Sequence, residues 1–139
     1  MNAKGTSTLL IPVAIHDAML AHCLKEAPLE CCGILGGVSL EARSIHPLRN
    51  IDASETHYNA DPMDLIRATR WLRENGAEFV AIYHSHPRWP AIPSKADLRE
   101  NYYEGVPRII VSLLEAEPVV RVWRLDPESY EEIAWQIVA

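Results

Sequence analysis

Two histidines, His84 and His86, stand two positions apart in Tyr83-His84-Ser85-His86-Pro87, and Asp97 closes the later segment Pro93-Ser94-Lys95-Ala96-Asp97. Imidazole nitrogen and carboxylate oxygen are donors that suit zinc, which takes four ligands in a tetrahedron. Three protein ligands leave the fourth position to water, and an open position marks a catalytic metal site rather than a structural one. Zinc held in this way polarises a carbonyl and lowers the pKa of water to about 7, which is hydrolytic chemistry. Ser94 follows His86 after seven intervening residues. Ser94-x-x-Asp97 also reads as a variant capping box, in which serine and acid cap a helix start.

These residues need particular elements to bring them together. A strand turns successive side chains to opposite faces, so His84 and His86 share one face. Phe79 to Tyr83 is continuously apolar, as expected of a short strand buried on both faces. Pro87 stops that strand, the prolines Pro90 and Pro93 stiffen the return loop, and a helix over residues 94 to about 102 brings Asp97 back on its first turn.

Upstream, residues 8–11 read as a strand. Pro12 opens a helix with an apolar stripe of Val13, Leu20, Cys23, Leu24 and Ala27, ended by Pro28. Residues 31–36 and 40–48 read as two strands paired through a Gly36-Gly37 turn, and 50–60 is polar and irregular. Asp61-Pro62 starts a helix that carries Leu65, Ala68, Thr69 and Leu72 and ends at Gly76. Residues 108–114, 119–125 and 130–138 read as the remaining strands. Mixed strands with about three helices predict an α/β fold, bordering on α+β, layered around one sheet.

Composition narrows the function classes. The chain's 139 residues fit one domain, residues 1–139, with enough chain to bury a core without staples. The net charge is −6 and the basic residues do not cluster, which argues against nucleic acid as a partner. No apolar run reaches the ~20 residues that span a bilayer. Residues 1–7 are polar and lack a signal-peptide core, so a cytoplasmic location is expected. Cys23, Cys31 and Cys32 form neither a disulfide framework nor a C-x-x-C pair, and they read as small buried apolar residues in a reducing compartment.

A second segment, Pro28-Leu29-Glu30-Cys31-Cys32-Gly33-Ile34-Leu35-Gly36, places a glutamate just before an apolar strand. Alone, Glu30 reads as a solvated acid at a helix–strand junction. Together with His84, His86, Ser94 and Asp97 it resembles the signature of the JAMM (MPN-plus, JAB-domain) metalloprotease family. The likeness extends from about Leu9 to Leu125 and includes Asn50, Tyr58 and Asp61-Pro62.

The resemblance implies a single curved, mixed sheet of the MPN/JAB type, cytidine-deaminase-like, flanked by about three helices. It implies zinc held by His84, His86 and Asp97. It implies that Glu30 accepts a proton from the attacking water and passes it to the leaving amine, and that Ser94 hydrogen-bonds the oxyanion. It further implies cleavage after the Gly-Gly tail of a ubiquitin-like or sulfur-carrier protein, bound as an extended segment. The stretch 98–107 is too short for the zinc-bearing insertion of some deubiquitinases, and no cysteine follows Cys32. The likeness is therefore to the compact prokaryotic type.

Three other readings compete. A nucleobase deaminase needs His-x-Glu and Pro-Cys-x-x-Cys, and neither occurs. A non-catalytic interaction module of the same family would not need the ligands and Glu30, all of which are present. A cysteine peptidase needs an exposed, electropositive thiol, whereas Cys31 and Cys32 open an apolar strand. His57, Arg88 and Trp89 lie where substrate contact is conceivable. His16, His22 and His46 have no ligand spacing.

Overall fold

The computed structural model describes residues 8–100, 103 and 105–139. Its elements in chain order are β1 (Leu9–Pro12), α1 (Val13–Glu26), β2 (Cys32–Val38), β3 (Glu41–Leu48), α2 (Pro62–Glu74), β4 (Glu78–His86), α3 (Lys95–Arg99), β5 (Arg108–Ser112), β6 (Val119–Leu125), β7 (Tyr130–Ile133) and β8 (Trp135–Val138). All eight strands form one mixed sheet, in the order β7-β6-β5-β4-β2-β3-β1-β8. Strand β4 lies at its centre, antiparallel to β2 and parallel to β5. A parallel neighbour reached through a helical crossover is the usual arrangement of an α/β unit, and here the crossover carries α3.

The pleat sorts the strand residues onto two faces. Leu35, Ala81, Tyr83, Ile109 and Val111 pack with Ile15, Met19 and Cys23 of α1. On the other face, Cys32, Ile34 and Leu48 pack against Ala68 and Leu72 of α2. A smaller cluster of Ala91, Ile110, Trp123 and Leu125 lies beside it. His84 and His86 emerge on this second face, between the two clusters.

Helix α2 starts as the sequence predicts, with the Asp61 carboxylate accepting from the Met63 N–H at 2.9 Å. Other elements depart from expectation. In α1 the buried stripe is Ile15, Met19 and Cys23, while Val13 and Leu24 are 47% and 55% exposed. Of the expected stripe, Cys23 is buried and Leu20 packs against the same core; apolar residues lie all round this helix, so periodicity alone placed the face only in part. The β2–β3 turn is not Gly36-Gly37. Both glycines lie within β2 beside a bulge, and the turn is made by Ser39 and Leu40 at φ 51° and 63°. A Cβ on Gly37 would stand 2.0 Å from the Glu41 carbonyl oxygen, so the glycine answers a close approach of backbone.

The final stretch is two strands rather than one. β7 pairs with β6 at one edge and β8 pairs with β1 at the other. Only Ala134 separates them, so the sheet curls until its edges nearly meet. β5 ends at Ser112, short of the expected 114. Helix α3 ends at Arg99 with Glu100 as its C-cap, short of the predicted end near Tyr102, a residue that itself lies outside the described ones, as does the segment 1–7. Among the described residues no helix is long and apolar enough to cross a membrane.

Candidate metal centre

Three donor atoms converge on the second face of the sheet. His84 Nε2 and His86 Nε2 are 3.1 Å apart. Asp97 Oδ1 is 3.1 Å from the first nitrogen, and Oδ2 is 3.2 Å from the second. Donors about 2.0–2.1 Å from a tetrahedral ion lie roughly 3.3 Å from one another, so the spacing fits one zinc-sized cation. His86 Nδ1 donates to the Pro90 carbonyl at 2.8 Å, which leaves the lone pair on Nε2, aimed at the shared point. His84 Nδ1 is buried without a hydrogen-bond partner, and its ring lies 4.8 Å from that of Tyr58. Among the described residues this is the group of histidine, cysteine and acid side chains whose donor atoms are close enough to share an ion.

Local structure holds each candidate donor. Three consecutive carbonyls of the ligand loop are taken by side-chain donors. Ser112 Oγ donates to Trp89, His86 to Pro90, and Trp123 Nε1 to Ala91 at 2.9 Å. The sequence drew no attention to Ser112 or Trp123, because a serine and a tryptophan in strands carry no spacing signal for a loop so distant in the chain.

The capping-box and ligand readings of Ser94 and Asp97 hold together. Ser94 Oγ accepts from the Asp97 N–H at 3.1 Å, and Asp97 Oδ2 accepts from the Ser94 N–H at 2.8 Å. The box turns the carboxylate toward the imidazoles. The bond that Ser94 Oγ accepts uses a lone pair, so the hydroxyl proton can still be donated.

Burial sets the electrostatics. Burial disfavours charge on His84, yet Asp97 outweighs it and holds the imidazole above its ordinary value. Burial also raises the Asp97 carboxyl, but His84 and His86 outweigh it and hold it far below the usual carboxylate range. Glu30 is only 4% exposed, and its residue neighbour-but-one, Cys32, pairs with His84 in the sheet. Burial pushes the Glu30 carboxyl up to about 7 against the downward pull of His84 and His86. A carboxylate with a pKa near neutrality, close to a metal site, has the profile of a general base.

A cavity of about 560 Å³ opens beside the ligands, lined in part by Asp97, Tyr58, His57, Phe79 and Arg108. His57 is held there by Asp52 Oδ2 and Ser54 Oγ, each at 3.1 Å. Arg88 instead pairs with Glu55 at 3.1 Å, and Trp89 is half exposed on the ligand loop. Ser85 points to the opposite face, where its Oγ accepts from the Cys31 N–H at 2.9 Å. The Cys31 thiol lies on that opposite face too, buried 3.2 Å from the Cys23 sulfur. Neither of these two thiols faces the imidazoles; Cys32 does lie on the ligand face and lines the cavity, but it is buried, and burial pushes its thiol up to about 12, away from the thiolate a nucleophile needs.

Comparison with known proteins accords with this geometry. A family model described as prokaryotic homologs of the JAB domain matches residues 12–126. A probable TtuB-protein conjugate cleaving protease from Thermus thermophilus is 40% identical over 103 residues, covering 73% of this chain and 68% of that protein. The CysO-cysteine peptidase of Mycobacterium tuberculosis is 33% identical, covering 97% and 87%. A solution structure of a Desulfitobacterium hafniense protein superposes with a TM-score of 0.84 at 30% identity, covering 93% and 92%.

Proposed function

The chain belongs to the family of prokaryotic JAB-domain proteins, and from that membership and the polar cluster we propose a zinc-dependent peptidase or isopeptidase. Its substrate is the amide bond after the C-terminal Gly-Gly tail of a ubiquitin-like or sulfur-carrier protein. Relatives named for cleaving TtuB conjugates and CysO-cysteine support that substrate class. The observation that carries the reading is the meeting of His84, His86 and Asp97 at one point with spacings of 3.1–3.2 Å. Residues 1–139 are taken as one such domain. The three buried free cysteines fit a reducing compartment, the cytoplasm.

His84, His86 and Asp97 would hold the zinc. When bound, zinc supplies a Lewis acid for the scissile carbonyl and makes water more acidic. Glu30 takes the proton of the attacking water on its carboxylate and delivers it to the departing amine nitrogen. Burial suits Glu30 to both steps, because a carboxyl with a pKa near 7 gives up its proton almost as readily as it takes one. The Ser94 hydroxyl donates to the oxygen that gains charge as the carbonyl carbon becomes tetrahedral, a contribution of about 10²–10³-fold where a comparable donor has been removed.

The test uses Glu30→Gln and ubiquitin-like carriers bearing C-terminal extensions, with hydrolysis followed by intact mass. The variant is expected to keep parental zinc content and to lose roughly 10²–10⁴-fold in turnover. Unchanged turnover would remove Glu30 from the mechanism. A parental protein that neither binds zinc nor cleaves any such carrier would be an interaction module instead.

A further inference from the structure

Glu30 sits in the connection between α1 and β2, where no helix or strand hydrogen bonds hold it. The 50–60 loop holds it instead. The Glu30 N–H donates to the Ser54 carbonyl at 2.8 Å, and the Glu30 carbonyl accepts from Asn50 Nδ2 at 3.0 Å. The same Nδ2 donates to the His57 carbonyl at 3.1 Å. Asn50 Oδ1 accepts from the N–H groups of Asp52 and Asn59 at 3.2 and 3.0 Å. One side-chain amide thus uses both donors and both lone pairs, its full capacity.

Backbone conformation supplies a second sign of constraint. Ala53 is held at φ 44°, in the left-handed region, immediately before the residue whose carbonyl receives the Glu30 N–H. A non-glycine residue stays in that region only where its surroundings over-determine it. The two acceptor bonds to Oδ1 and the Nδ2 bond to the His57 carbonyl stay within the loop. The other Nδ2 bond reaches back across the sequence to the Glu30 carbonyl, and it ties the loop to Glu30.

We infer that Asn50 is a positioning residue for the reaction, fixing the peptide of Glu30 and thereby the aim of its carboxylate at the ligand cluster. The inference rests on Glu30 being the base. A catalytic group displaced by about 1 Å can cost on the order of 100-fold in rate.

The experiment compares Asn50→Ala, Asn50→Asp and Thr56→Val with the parent in their zinc-loaded forms. Asn50→Asp keeps an acceptor for Asp52 and Asn59 but loses the donors to the Glu30 and His57 carbonyls. Among the described residues Thr56 bonds only within the loop rim, through Ser54. Both Asn50 variants are expected to lose about 10–100-fold in kcat with KM within about twofold and zinc content unchanged. Thr56→Val keeps the parental kcat.

Amide exchange by NMR supplies a readout independent of turnover. Glu30 N–H exchange should rise about 10–100-fold in the Asn50 variants, while Ile110 in β5 stays protected. Parental kcat with a protected Glu30 amide in either Asn50 variant overturns the inference, as does an equal loss of kcat in Thr56→Val. If the parent cleaves no carrier, the peptidase reading fails by itself. The exchange result then decides whether Asn50 orders Glu30, and unchanged protection overturns that as well.

Discussion

At the candidate metal centre, protons and a bound cation would compete for the same atoms. His84 Nε2 faces both His86 and Asp97, and it must be neutral to ligate. Its value is raised, so in the metal-free protein its stabilising pairing with Asp97 is complete below the ordinary 6.5 and is lost as pH rises through the folded value. Glu30, raised from 4.5 to about 7, acts in the same direction across that interval. The metal-free protein is therefore expected to melt at lower temperature as pH rises from about 5 to about 8. Zinc affinity should tighten over the same range, by about tenfold per unit while one proton is displaced. Calorimetric titration with zinc across this range checks the sign, and affinity independent of pH would exclude His84 as a ligand. These candidate donors were legible in the sequence because each stands at a fixed offset from a strand end or a helix start. The Asn50 amide was visible only as part of a family likeness, since three of its partners lie in the irregular 50–60 loop and the fourth, Glu30, stands twenty residues upstream with no spacing pattern to link them.

Among the elements, β2 and β4 do most to place the site, and a glycine governs how closely they pack. Gly33 lies opposite Tyr83, the residue before His84, and a Cβ on it would stand 2.2 Å from the Tyr83 ring. That ring is buried, and its hydroxyl meets His22 Nδ1 at 2.7 Å, so it has little room to yield. Gly33→Ala is expected to destabilise the fold by about 1–3 kcal/mol, as overpacking in a filled core does. Urea unfolding measures it, and an unchanged midpoint would show that Tyr83 can move aside. The strand itself was readable from its apolar run. The buried face of α1 was readable only in part, because a helix apolar on every side offers several faces and only the docked sheet selects one. The β2–β3 turn was misplaced for a related reason. Gly36 and Gly37 answer close contacts with Leu72 and with the β3 backbone, and such contacts leave no local pattern.

Over the whole molecule, the site stands where separate cores meet: α2 and its cluster on one flank, the Ala91–Trp123 cluster on the other, and β4 beneath. A cation held by the proposed donors on β4 and α3 would tie the two flanks together. Saturating zinc, at about 1,000 times its Kd, should add roughly 4 kcal/mol and raise the melting midpoint on the order of 10 °C over chelated protein. Differential scanning calorimetry with and without chelator tests this, and an unchanged midpoint would mean that no ion is held there. The curl of the sheet explains why residues 130–138 could not be read correctly. They contain no glycine or proline to break a strand, and only contact with β6 on one side and β1 on the other divides them at Ala134. Donor types, their offsets and the apolar runs that carry them are local properties, so they could be read along the chain. The convergence of the donors, the raised carboxyl of Glu30 and the seating of its peptide depend on burial and on partners far apart in sequence, and these exist only once the sheet has closed.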